Sequence, residues 1–290
     1  MRTILIPVDF SEGSVNSCRY AFDFLAKEKA IVHLFHIYND QVMTPASGFP
    51  GGGLDTTVTF FNSDLILALK EQAEKEMEAM KQELNNLIKK KKYNIQLRDT
   101  LVGGDPRWEI TETIQELHPD LVIMSTQGKG RKGFLEGRIA EKIMNKSSVP
   151  VLAVSEDFND FSMKSILYTT NFNPLDVNAL KFVLKMIEGR NATIHVCHLM
   201  KEKESENAAM MMKTLENDLG KVHKGVKINF YQIQTENESD ALNTFAHEHQ
   251  IDLVSFLPGK KHLIKDFFSL HKLHKKDLFR LELPLLAVHI

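Results

Sequence analysis

The chain repeats itself, and the repeat constrains the fold more than any other feature. The stretch ILIPVDFSEGSVNSCRYAF, from Ile4, lies without a gap over ILYTTNFNPLDVNALKFVL, from Ile166, an offset of 162 residues. The register continues into VHLFHI and IHVCHL, where His33 and His36 fall on His195 and His198. The ends of the halves also correspond, PDLVIM with IDLVSF and SSVPVLAV with LELPLLAV, at slightly shorter offsets that imply small deletions in the second half. Each half is about one domain long. The expectation is two domains, residues 1–156 and residues 163–290, meeting at EDFNDFS. A chain of 290 residues, 43% hydrophobic and 26% charged, has the size and balance for two globular cores.

Within a half, short runs rich in Ile, Val and Leu alternate with longer segments of helical period. That alternation argues for βα units, hence a parallel sheet with helices on both faces. In the first half it predicts strands near 2–8, 31–37, 94–101, 120–125 and 149–154, and helices near 12–29, 63–91, 106–118 and 136–146. Asp105-Pro106 is a helix start, an N-cap carboxylate followed by proline at the first helical position. The run Lys89 to Lys92 fits a helix C-terminus, where the dipole favours cations, better than a nucleic-acid patch. One long loop is expected, DQVMTPASGFPGGGLDTTVTFF from Asp40 to Phe61. It follows the second strand on the side where open α/β sheets bind ligands, so it reads either as a lid or as a surface insertion.

Several function classes lose support. A formal net charge of −2 gives no global attraction to nucleic acid or to an anionic membrane. The opening MRTILIPVDF reaches Asp9 too soon for a signal peptide or a spanning helix, and two cysteines make no disulfide framework, so a reducing, cytoplasmic setting is expected. His33 and His36 are three apart on a strand, as are His195 and His198, and so point to opposite faces and cannot share a metal. They read as hydrogen-bonded core or strand-end histidines. His271 and His274, with His262 nearby, lack a strong metal-ligand spacing. There is no G-x-S-x-G elbow around Ser125 and no C-x-x-C, so the chain reads as a binding protein and not as an enzyme. Met210 to Met212, like the pairs Phe60-Phe61 and Phe267-Phe268, are simplest as core filling, with a Met-rich partner face as the sharper alternative for the methionines.

The segment Gly128 to Gly133, GKGRKG, satisfies G-x-G-x-x-G literally but follows the fourth strand, whereas the dinucleotide fingerprint follows the first. No Gly-Lys is followed by Ser or Thr, so there is no Walker loop. The physics of anion binding remains. Glycines admit close approach of backbone N–H groups, the next helix offers its N-terminus, and Lys129, Arg131, Lys132 and Arg138 add charge. The competing reading is a Gly-rich turn with solvated basic side chains.

Taken together, ILIPVDFSE, HIYND, PDLVIMSTQGKG and GRIAEKIMNKSSVPVLAV resemble a universal stress protein domain, and the duplication resembles the tandem form of that family. The resemblance implies an α/β fold of two tandem five-stranded parallel sheets with helices on both faces, Rossmann-like and of the adenine nucleotide alpha hydrolase type. It also implies that the halves pair about a pseudo-twofold axis through their final strands, VPVLAV and LPLLAVHI. It implies an adenine nucleotide, ATP or AMP with Mg²⁺, in the first half. Asp9 would meet the adenine or ribose, with Pro7 beside it and Ile37 lining the adenine pocket; Met124 precedes the phosphate loop.

Nucleotide-binding members of the family carry G-x-x-G-x9-G-[ST]. Here Ser125 stands at the first glycine, Gly128 at the second, and Gly137 at the third after eight intervening residues that include Gly130; Arg138 replaces the Ser or Thr. Arg138 exchanges a hydroxyl for a bidentate cation, and the Ser125 hydroxyl can itself donate to phosphate. Asp9 has a second reading as a cap of the following helix, with Ser11 the rival cap. In the second half Asp9 becomes Asn171 and the loop keeps only Gly259, with His271 and Lys272 near the Gly137-Arg138 positions, so that half is expected not to bind ATP in the family manner. The expectation is a stress-response regulatory protein that binds nucleotide in its first half and acts through an unidentified protein partner, by itself or as a homodimer. A nucleotide-independent interaction module is the alternative, and a slow ATPase or phosphotransferase the third.

Overall fold

A computed structural model describes residues 1–26, 28–40, 43–45, 59–61, 63–126, 138–155, 161–200, 205–220, 225–258 and 283–290. The first half runs β1 (Arg2–Pro7), α1 (Glu12–Leu25), β2 (Ala30–Tyr38), β3 (Met43–Pro45), β4 (Thr59–Phe61), α2 (Ser63–Lys91), β5 (Ile95–Gly103), α3 (Pro106–Leu117), β6 (Leu121–Ser125), α4 (Arg138–Lys146) and β7 (Val151–Val154). The second runs β8 (Ser165–Thr169), α5 (Asp176–Met186), β9 (Ala192–Met200), α6 (Ser205–Leu219), β10 (Val226–Gln234), α7 (Glu238–Glu248), β11 (Leu253–Phe256) and β12 (Leu285–Ala287).

The two expected five-stranded parallel sheets are both present, and they join edge to edge. Ten strands lie in the order β10-β9-β8-β11-β12-β7-β6-β1-β2-β5. Every pair is parallel except β7 with β12, which run antiparallel with Leu286 opposite Leu152 and Ala287 opposite Val151. The reason lies in the strands themselves. Val151 to Val154 are buried throughout, and an apolar edge of that kind is stable only when another strand covers it. The sequence repeat is carried into the strand register, since Ile4 faces Val32 and Ile166 faces Ile194, each pair displaced by the same offset.

Alternation along the strands divides the core into layers. Ile4, Ile6, Leu152 and Val154 face the side covered by α1, α2, α5 and α6, while Leu5, Val151 and Ala153 face α3 and α4. The first layer runs unbroken across both halves, from Phe22 and Leu84 to Leu180 and Leu215. Polar contacts also tie the halves together. Arg190 Nη2 donates to the Phe24 carbonyl at 2.8 Å, and His289 Nε2 to that of Met144 at 2.8 Å.

Local chemistry places the helix ends. Asp105 caps α3, accepting from the N–H groups of Arg107 and Trp108, with Pro106 following. Its carboxyl lies low, at about 2, chiefly because the Arg107 guanidinium bonds to it. Lys89 to Lys91 fill the last turn of α2, as the dipole favours. Two expectations need correction. The helix predicted over 12–29 stops at Leu25, where Ala26 takes a positive φ of 46°. The segment predicted as a loop over 40–61 contains an antiparallel ribbon, Met43 opposite Phe61 and Pro45 opposite Thr59. Cys18 and Cys197 are free and buried, and burial holds both thiols above their ordinary range, Cys197 at about 12. Among the described residues no helix is long and apolar enough to cross a membrane.

Candidate functional site

In the first half the chain leaves β1 for β2 and β5 on one side, then crosses to β6 and β7 on the other. The switch therefore falls between β1 and β6, and in open parallel sheets the crevice beyond the carboxyl ends of such strands is where ligands sit. Pro7 ends β1 and Asp9 follows two residues on, while Met124 and Ser125 end β6 beside it. Ile37 lies near the end of β2, partly buried against the same core layer as Met124. Met124 is wholly buried and Ser125 nearly so. Arg138 opens α4 at this edge. Its side chain, the loop glycines Gly128, Gly130 and Gly137, and the basic residues Lys129, Arg131 and Lys132 lie outside the described residues. So do the segment holding Gly259, His262, Phe267-Phe268, His271, Lys272 and His274, and the side chains of Phe60 and Phe61.

Asp9 is held in place. Its Oδ1 accepts from the backbone N–H of Ser11 at 3.1 Å and from the hydroxyls of Ser11 and Ser14, and its own N–H donates to Ser14 Oγ at 3.0 Å. The helix cap is Ser11, whose Oγ accepts from the Ser14 N–H. Of the two readings of Asp9, the capping role thus falls to Ser11, and the aspartate is oriented by the first turn of α1. Phe10, between them, is left-handed (φ 60°) and its ring lies 4.2 Å from that of His36. His36 in turn donates from Nδ1 to the Val8 carbonyl at 2.7 Å.

Charge is graded across this edge. At the β5 end, Gly103 and Gly104 leave room for the side chains of Asp40 and Glu109; a Cβ on Gly103 would stand 2.9 Å from Asp40. The Glu109 acid is raised, first by burial and then by Glu112, Asp40, Asp105 and Glu116. An anion is disfavoured there, whereas the positive end of a helix dipole lies at the N-terminus of α4.

The equivalent edge of the second half is altered. Asn171 is exposed, and the carboxylate nearby is Asp176, 1% exposed and turned inward. It accepts from the Tyr168 hydroxyl at 2.6 Å, from Thr170 Oγ1, and from the Asn173 N–H at 2.8 Å. Met212 fills core as expected, whereas Met210 and Met211 are 66% and 41% exposed, so core filling does not account for them. Sequence reasoning missed two features, the hold of Ser14 on Asp9 and the His36–Phe10 contact. Both carry a signal in the repeat, where Ser14 falls on Asp176, Phe10 on Phe172 and His36 on His198.

The model of the universal stress protein family matches residues 1–155, over half of the chain. The chain belongs to the universal stress protein family. Over 158 residues it is 29% identical to Universal stress protein MJ0577 of Methanocaldococcus jannaschii, spanning 53% of this chain and 94% of that one. Universal stress protein MJ0531 of the same organism is 25% identical over 156 residues, 53% of this chain and 82% of its own. The crystal structure of a universal stress protein from Archaeoglobus fulgidus covers 99% of this chain and 96% of its own with a TM-score of 0.67 and 17% identity. The last likeness extends the fold through both halves.

Proposed function

We propose that the first half binds an adenine nucleotide, ATP or AMP, at the carboxyl edge of β1 and β6. On this reading the chain is a regulatory binding protein of two domains, 1–156 and 163–290, the second supporting the first. The observation that carries it is Asp9, a carboxylate set at the topological switch point and already oriented by Ser11 and Ser14. A carboxylate so placed accepts from ribose hydroxyls or an exocyclic amine at no further cost in side-chain ordering. The gradient of charge sets the direction of the ligand. The nucleoside lies toward β2, near Ile37, and the phosphates toward Ser125, the glycine loop and Arg138, with Mg²⁺ carried on the phosphates. The second half lacks the aspartate at position 171, and its carboxylate is spent on its own core.

Isothermal titration of nucleotide-free protein with Mg-ATP tests this. One ATP per chain is expected, with affinity lowered at least about tenfold in Asp9→Ala, the loss of a charged hydrogen-bond acceptor. Absence of heat with ATP, ADP and AMP alike would end the proposal and leave the glycine loop without a ligand.

A further inference from the structure

One arrangement beside the candidate site occurs twice, at the offset of the sequence repeat. In the first half the Val8 N–H donates to the Phe35 carbonyl at 2.8 Å, and the Val8 carbonyl accepts from His36 Nδ1 at 2.7 Å. In the second the Thr170 N–H donates to the Cys197 carbonyl at 2.9 Å, and the Thr170 carbonyl accepts from His198 Nδ1 at 2.8 Å. Two residues on, Phe10 and Phe172 are both left-handed, φ 60° and 56°, with rings 4.2 and 4.3 Å from those of the two histidines. A phenylalanine adopts that backbone only where its surroundings hold it there. Since a carbonyl can only accept, each imidazole carries its proton on Nδ1.

We infer that His36 is a positioning residue for Asp9: by gripping the Val8 carbonyl and packing its ring against Phe10 it fixes the backbone on both sides of the aspartate, so that the carboxylate meets its ligand preorganised. The inference rests on the nucleotide reading of the first half. Asp9 lies between the two gripped residues, and its contacts to Ser11 and Ser14 orient the side chain only if the backbone from Val8 to Ser11 holds its course. The histidine acts through this backbone and needs no contact with the nucleotide. The second half supplies an internal control, because the same clamp closes there around Asn171, which has no carboxylate to position.

The test uses the full chain and Mg-ATP. His36→Phe keeps a ring over Phe10 and removes the donor; His36→Asn keeps a donor near the Nδ1 position; His198→Phe repeats the first change in the second half. His36→Phe is expected to weaken binding about tenfold, His36→Asn to stay within about threefold of the wild type, and His198→Phe to bind unchanged while its unfolding temperature falls as that of His36→Phe does. Wild-type affinity in His36→Phe, beside a loss in Asp9→Ala, overturns the positioning role and leaves the nucleotide reading standing. Equal weakening by His198→Phe overturns it too, as a general loss of stability. A wild-type protein that binds no nucleotide removes both. If His36→Phe does not fold, His36→Asn against His36→Gln gives the same contrast, because Gln carries its amide at the Nε2 position.

Discussion

Ser14 and Asp176 occupy the same place in the repeat and do opposite things. Ser14 lends a hydroxyl to Asp9 and so helps orient a carboxylate that is only partly buried. Asp176 is itself the carboxylate, withdrawn into the core under three donors. Removing a buried acceptor leaves its donors unsatisfied, at about 1–3 kcal/mol each set against partial relaxation. Asp176→Ala, which orphans the buried hydroxyls of Tyr168 and Thr170, is therefore expected to cost about 3 kcal/mol in urea unfolding, and Ser14→Ala about 1 kcal/mol. Equal costs would show that the three donors find other partners. The exchange of Asp9 for Asn171 could be read in the alignment of the halves. The direction of the Asp176 side chain could not, because a carboxylate one residue inside a helix reads equally well as a first-turn acid facing solvent.

At the scale of elements, β9, β10 and α7 meet around His195. It is 6% exposed, its ring 4.6 Å from that of His249, with Tyr231 and Phe245 closing the cluster. The expectation of a hydrogen-bonded core histidine holds at His33, which pairs with Thr100 Oγ1 at 2.8 Å, but not at His195. The strand registers explain the difference. His33 faces Arg98 and His195 faces Asn229, so that Tyr231 stands where Thr100 does and offers a ring; His195 Nδ1 has no partner among the described residues. Burial first, and then the neighbouring His249, pushes the His195 ring down to about 4 from 6.5. Between those values the unfolded chain holds a proton that the folded one does not. The neutral ring's contribution is therefore complete above about pH 6.5 and lost as pH falls toward about 4. His195→Leu should flatten the decline in stability between pH 7 and 4.5 by about 1–3 kcal/mol, read from denaturant midpoints at the two pH values. Parallel declines in the two proteins would refute the assignment.

At the scale of the whole molecule, a continuous ten-stranded sheet and a core layer shared by α1, α2, α5 and α6 make the halves structurally dependent. Their junction is antiparallel and its strands are buried, so separating them exposes the whole inner edge of β7. Residues 1–156 expressed alone are expected to pair through that edge and to give a dimer in light scattering. A monodisperse monomer would mean that the edge is covered in some other way. The linkage also brings the second half against the elements that carry the candidate site. Arg190 reaches the end of α1, and His289 reaches α4.

What the sequence determined by itself was periodic or local: the repeat and its register, the alternation of main strands and helices, the cap at Asp105, and the apolar end strands that had to find a partner. Those properties follow from side-chain spacing along one element or across one turn. What only the tertiary structure decided was relational. It set which way Asp176 points, what stands opposite His195, and the grip of His36 on Val8 beside a left-handed Phe10. Each depends on residues remote in the chain that share a few ångströms of space, and no pattern within a single segment records that proximity.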